Sequence, residues 1–436
     1  MMIRLTALLL TTILAATSAD RVHAEGNNQR LSGRIVMGYQ GWFACPSDSS
    51  RGDWIHWKSK DLLTIDMFPD VTELSPAEKC DSGLRDARGN PVFLFSSLNP
   101  KTVDRHFRWL EDYGIDGVAL QRFASQLFTA ETLERANRVM INVKTAAEAH
   151  NRSFFVMYDI SGASPDQLKL VADDWERLVE QGIIRSSSYQ FDNKRAVLGI
   201  WGVGFAGRKL APADIDEFIR DLRGRSSSYG GLTIIAGTPT FWREGKRDAS
   251  SDTGWRRIWT EFDVISPWTV GRFSDQKGAD YYRRNVLEPD LEETKRLGVA
   301  YMPVIFPGFS WHNLRIARQQ TNAEPNQIRR ACGQFYWRQA YNAISAGATM
   351  IYNAMFDEVD EGTAMFKVAP SAQQVPATPS SVTLDIDGCQ LPSDWYLRLA
   401  GKVGQALSKQ SPLTEAMPLP KQTTLPRSII RSRTGE

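Results

Sequence analysis

Short apolar runs rich in β-branched and aromatic residues recur along the chain, and most are followed by a stretch with apolar residues at helical spacing. The runs at 35–39, 117–120, 154–158, 197–201, 232–236, 263–266, 300–305 and 349–352 number eight. Between them, 102–113 carries Val103, Phe107, Trp109 and Leu110 on one helical face, and 130–149 repeats the pattern. The stretch 165–181 does so too, with Ser164 as a cap ahead of Pro165. Alternation of strand and helix predicts a parallel sheet, and eight repeats predict the α/β class as a single (β/α)8 TIM barrel. A long first βα loop, 43–99, interrupts the rhythm with Gly and Pro and is expected to wall the mouth. The alternative, an open doubly wound sheet, would want a Gly-rich phosphate turn after the first strand. Trp42 and Phe43 follow Gly38-Tyr39-Gln40-Gly41 and would obstruct that approach.

The last strand ends differently from the others. Met350, Ile351, Tyr352, Ala354, Met355 and Phe356 are too apolar for a solvated loop, and they run directly into Asp357, Glu358, Asp360 and Glu361. In a barrel that end of a strand faces the mouth where chemistry gathers, and Gly362-Thr363 permits a tight turn after it. Two carboxyls held together can cleave a glycosidic bond, one as acid and one as base or nucleophile. The competing readings are a solvated acidic loop and a divalent cation site. The second lacks the regular ladder of oxygen ligands.

Other residues predicted at the strand ends are Tyr39, Trp42, Gln121, Arg122, Asp159, Trp201, Trp268 and Trp311, together with Asp357. Aromatic platforms ringed around polar and acidic groups suit a saccharide, whose rings have apolar faces and vicinal hydroxyls. Any single one of them has a plainer reading as a packing residue, and Arg122 as the partner of an acid such as Asp116 or Asp159.

The run Glu358-Val359-Asp360-Glu361-Gly362-Thr363 resembles the Glu-x-x-Glu-Gly-Thr motif of glycoside hydrolase family 99, the endo-α-mannosidases and mannanases, and of proteins described as family 71/99-like. Gly38-Tyr39-Gln40-Gly41-Trp42, Trp54-Ile55-His56-Trp57 and Asp66-Met67-Phe68-Pro69-Asp70 are similar to the aromatic first strand and the His-Trp pair that line that family's site. The resemblance implies catalytic roles for Glu358 and Glu361 and adds His56 and Trp57 to the substrate-binding candidates. It implies that Glu358 deprotonates the sugar's own 2-hydroxyl and that Glu361 serves as general acid and base, with retention. An inverting, family 71-like α-glucanase and a barrel that binds glycan without cleaving it are the alternatives. Val359-Asp360 stands where the family has Trp-His, so mannose specificity is not carried over.

Composition narrows the partners. A net charge of +2, with no basic run interleaved with aromatics, argues against nucleic acid, while thirteen Trp are compatible with a sugar cleft. An oligo- or polysaccharide is the expected substrate, the protein is expected to be a monomer, and neither a cofactor nor a metal is expected. Residues 1–24 read as a signal peptide: a basic start at Arg4, the apolar stretch 5–16, and Val22-His23-Ala24 as cleavage site, with Ala19 as fallback. A periplasmic or secreted protein without membrane insertion is therefore expected, and export permits disulfides. Of the three possible pairings, position along the chain favours Cys45 with Cys80 and Cys332 with Cys389. The domain is expected to span 25–411, and 412–436, without apolar periodicity, to be a disordered tail.

Overall fold

Val, Ile, Phe and Tyr dominate the eight runs because β-branched and aromatic side chains fit a pleated surface buried on both faces. In the computed structural model they form β1 (Ile35–Tyr39), β2 (Gly117–Phe123), β3 (Ser153–Asp159), β4 (Arg195–Trp201), β5 (Leu232–Thr238), β6 (Val264–Pro267), β7 (Ala300–Tyr301 with Val304–Ile305) and β8 (Ile351–Asn353). The structure describes residues 28–50, 52–320, 323–377 and 380–419. The expected leader lies outside them.

All neighbours in the series are parallel, and β8 returns to β1 with Ile35 opposite Ile351. Closure runs through β7. Its first half pairs with β6 and its second half with β8. Pro303 sits at the break, where it has no N–H to donate but still accepts from Tyr352 N–H at 3.0 Å. The barrel is thus shut by a strand that changes partner midway.

The helices that clothe it are α1 (Pro100–Asp112), α2 (Ala130–Ala149), α3 (Pro165–Glu180), α4 (Pro212–Ser226), the short α5 (Trp255–Ile258), α6 (Gln276–Tyr282, continuing through Arg283–Leu287 into Glu288–Leu297), α7 (Gln334–Ser345) and α8 (Trp395–Leu407). The expected Ser164 start of α3 holds, with the Ser164 N–H taken by Gln167 Oε1 at 2.9 Å. Among the described residues no helix is long and apolar enough to cross a membrane.

The first loop contains two antiparallel hairpins, Lys58–Ser59 with Leu62–Leu63 and Cys80–Arg85 with Pro91–Leu94. It is bound to the barrel by the backbone N–H groups of Asp66 and Met67, which donate to Val359 O. Cys45–Cys80 and Cys332–Cys389 are both bridged, the pairing that chain order favoured. The first residues of the segment expected to be a disordered tail, from 412, make contacts with the barrel. Trp337 Nε1 donates to Thr414 O at 3.1 Å, and Leu413, Met417 and Leu419 pack against the core. Residues 420–436 lie outside the described chain.

Candidate active site

β8 delivers the acidic segment to the mouth, and each acid meets a different environment. Asp357 is wholly buried and accepts the backbone N–H of Gln40 at 2.8 Å and of Gly41 at 2.9 Å, which ties the end of β8 to the end of β1. Burial pushes its carboxyl up to about 7 against the pull of those two N–H groups. That makes Asp357, expected among the substrate-binding residues, a brace with no exposed surface.

Glu358 is held at both oxygens. Gln40 Nε2 donates to Oε1 and Thr363 Oγ1 to Oε2, each at 2.7 Å. Burial raises its pKa, and these two donors oppose that rise. Glu361 is half-buried and receives no such side-chain bond among the described residues. Burial, then the charge of Glu358, pushes it up to about 8, with Arg318 opposing. Asp360, buried between them, is pushed up well beyond the carboxylate range by burial and by both glutamates. The two glutamates therefore meet different surroundings: Glu358 is held by two side-chain donors, while Glu361 has none among the described residues and is raised to about 8.

The turn that carries them is fixed from behind. Gly362 has φ +63°, and a Cβ there would lie 2.7 Å from Ser310 N. Buried Arg330 donates to Gly362 O at 2.9 Å and to Ala364 O at 2.7 Å, its guanidinium 4.5 Å from the Tyr396 ring centre. At the base of the mouth Gly38 lets Tyr352 approach, since a Cβ would meet the Tyr352 hydroxyl at 2.2 Å.

Glu361 opens onto a cleft of about 630 Å³ shared with Trp268, Phe309, Trp311 and Gln327. Trp201 packs edge-on to Trp268 with ring centres 5.5 Å apart. Across the acidic loop, Trp42 and His56 stack nearly parallel at 4.1 Å and line a cavity of about 140 Å³ with Gln40 and Gln121. Gln121 donates to the Tyr352 hydroxyl at 3.0 Å. Asp159, half-buried, accepts the N–H of Ser161 at 2.7 Å. Gln40 Oε1, Trp42 Nε1, Trp201 Nε1 and Asp360 Oδ1 are buried without a hydrogen-bond partner among the described residues. Unsatisfied buried polar atoms lining a mouth are where a hydroxylated ligand would find its partners.

Two expected contacts do not reach the mouth, and a third reaches it with its charge already engaged. Tyr39 is fully buried outside it, its hydroxyl 2.9 Å from His106 Nδ1 and its ring stacked on Phe356. Trp57 is fully buried, with Nε1 donating to Phe95 O at 2.8 Å. Arg122 lines the smaller cavity, but it is 2% exposed and bidentate to Asp174 on α3, at 2.6 and 2.8 Å, rather than paired with Asp116 or Asp159. Conversely, Gln40, Thr363 and Tyr352 were missed, although Gln40 and Thr363 sit inside the motifs that drew attention to their neighbours.

Among the described residues no group of three or more His, Cys, Asp and Glu side chains converges as a metal site. No family model matches the chain, and no curated protein matches it. Among solved structures the fold is similar to that of the family 99 endo-α-mannosidase from Bacteroides thetaiotaomicron, in complex with bis-tris-propane (TM-score 0.62, 14% identity, 87% of this chain and 98% of that one). The same enzyme in a second structure gives a TM-score of 0.59 at 14% identity, with the same coverage of 87% and 98%. A glycoside hydrolase-like protein gives 0.54 at 12% identity over 86% of this chain and 94% of that one. The fold of this chain is that of the family 99 endo-α-mannosidases.

Proposed function

We propose that this protein is an exported glycoside hydrolase that cleaves an α-linked oligo- or polysaccharide with retention. What carries the reading is the division of labour between Glu358 and Glu361. One carboxylate is anchored by Gln40 and Thr363, and one carboxyl, raised to about 8, borders an aromatic cleft. Glu358, with a lone pair free on each oxygen, takes the proton of the sugar 2-hydroxyl as O2 attacks the anomeric carbon. The bond to the leaving oxygen breaks as Glu361 protonates it. In the return step Glu361, now a carboxylate, takes a proton from water, the water oxygen attacks the anomeric carbon of the 1,2-anhydro sugar as its bond to O2 breaks, and O2 recovers its proton from Glu358. The two disulfides support an oxidising compartment.

Reducing-sugar release from a panel of α-mannans, α-glucans and mixed glycans finds the substrate. On it, Glu358→Gln and Glu361→Gln are each expected to lose roughly 10²-fold or more in kcat. Glu361→Gln should keep most of its rate on fluoride or activated aryl glycosides of the same sugar, whose leaving groups need no proton, and Glu358→Gln should not. Wild-type rates from both variants would place the chemistry elsewhere. No release from any glycan, with binding retained, would make the barrel a glycan-binding protein, and an inverted product anomer would favour direct attack by water.

A further inference from the structure

Asp360 lies between the two glutamates, yet the mechanism above gives it no task. It is 1% exposed, Oδ1 has no partner among the described residues, and Oδ2 is 4.0 Å from His56 Nδ1. The groups facing it are Glu358 and Glu361 from its own loop, His56 from the first loop and Arg318 from the segment after β7. A second anion there would oppose the ionisation of Glu358, so a neutral carboxyl, both donor and acceptor, fits the space.

His56 is placed with unusual care for a loop residue. Its φ is +59°, a left-handed conformation unfavourable for any residue with a Cβ, and its carbonyl accepts Thr64 Oγ1 at 2.5 Å. Trp42 covers one ring face at 4.1 Å and 6°, which leaves the ring edges as its only polar reach. One edge turns Nδ1 towards Asp360, and the residue lines the cavity with Gln40 and Gln121. Burial first, then Arg318 and Arg135, lower its pKa to about 4, so the ring is neutral and carries a single N–H.

We propose that the Asp360 carboxyl donates to His56 Nδ1 and so fixes the imidazole as the Nε2–H tautomer, which presents a donor to a hydroxyl of the sugar in the cavity beside Trp42. The gap of 4.0 Å shortens by about 1 Å to reach hydrogen-bond distance, which a small turn of the two side chains supplies in the free protein. The pair reads hydroxyl orientation next to the scissile bond, and Asp360 is a positioning residue that acts through His56. The sugar-binding half of this inference rests on the hydrolase reading. The tautomer does not.

The test is the nitrogen-15 imidazole spectrum of labelled full-length protein, with His56→Gln used to assign the His56 signals. The parent and Asp360→Asn, whose amide N–H can still donate to Nδ1, are expected to show Nδ1 bare and Nε2 protonated. Asp360→Ala should show a mixture of tautomers. On a substrate found in the glycan panel, Asp360→Asn should stay within about threefold of the parent in kcat/KM, and Asp360→Ala should lose mainly in KM. An Nδ1–H tautomer in the parent, or a doubly protonated ring at neutral pH, overturns the pairing even where hydrolysis is found. If no glycan is cleaved while the spectra behave as expected, the hydrolase reading fails and the pairing survives.

Discussion

Four neighbouring acids in one loop behave as four different groups because each has a different set of donors. Asp357 answers to two backbone N–H groups and Glu358 to an amide and a hydroxyl, Asp360 keeps Oδ1 without a partner among the described residues, and Glu361 answers to the cleft. Two pH effects follow. With Glu361 needed as an acid, activity on natural substrate should fall as pH rises through about 8, and this limb should vanish when Glu361→Gln is assayed on a fluoride glycoside. Stability runs in the same direction. A carboxyl whose folded pKa is raised contributes stability that is fully present below its unfolded pKa and lost as pH rises through the folded one. With Asp357 and Asp290 at about 7 and Glu361 at about 8, the melting temperature is expected to fall between pH 5 and pH 8. Thermal melts of Glu361→Gln should show a shallower fall and a higher midpoint than the parent at the alkaline end. A flat parent profile would mean that these acids stay solvated.

At the scale of elements, the acidic turn is the most constrained piece of the mouth. Gly362→Ala must place a methyl against the Ser310 backbone at positive φ, and should cost roughly 2 kcal/mol or more in urea melts. Activity should fall further than stability, because the same shift displaces both glutamates. The strands were readable from the chain because parallel strands are continuous apolar runs. That same continuity hid which side chains face the mouth. With both faces buried there is no polar alternation to mark the inward one, so Tyr39 read as a ligand and Gln40 beside it did not. The pair His56-Trp57 repeats the difficulty, the first residue lining a cavity and the second in the core. Arg122 was unreadable for another reason. Its acid, Asp174, is 52 residues away on α3, and only the packing of α3 against β2 brings them together.

Across the whole molecule, the two bridges tie irregular segments together: one closes the first loop on itself and the other joins the start of α7 to the segment before α8. Cys45–Cys80 closes a span of 35 residues and Cys332–Cys389 one of 57. By loop entropy each is worth about 4 kcal/mol, so Cys45→Ser with Cys80→Ser should lower the melting temperature measurably while leaving the barrel's circular dichroism in place. Unchanged melting would show that the first loop is already held by its contacts with the barrel. The barrel and both bridges were legible from chain order alone. The partner exchange of β7 was not, although Pro303 marked where a strand would lose a donor.

The brace from Asp357 to Gln40 and Gly41 spans 317 and 316 residues of sequence. A polypeptide emerging from the ribosome therefore carries β1, the aromatic platforms and most of the wall long before it has an acid or a base. The acidic loop meets Gln40 and Gly41 only when the last strand slides in beside the first. On the proposed reading, synthesis itself acts as a safety catch, keeping the unfinished protein inert towards any glycan it meets.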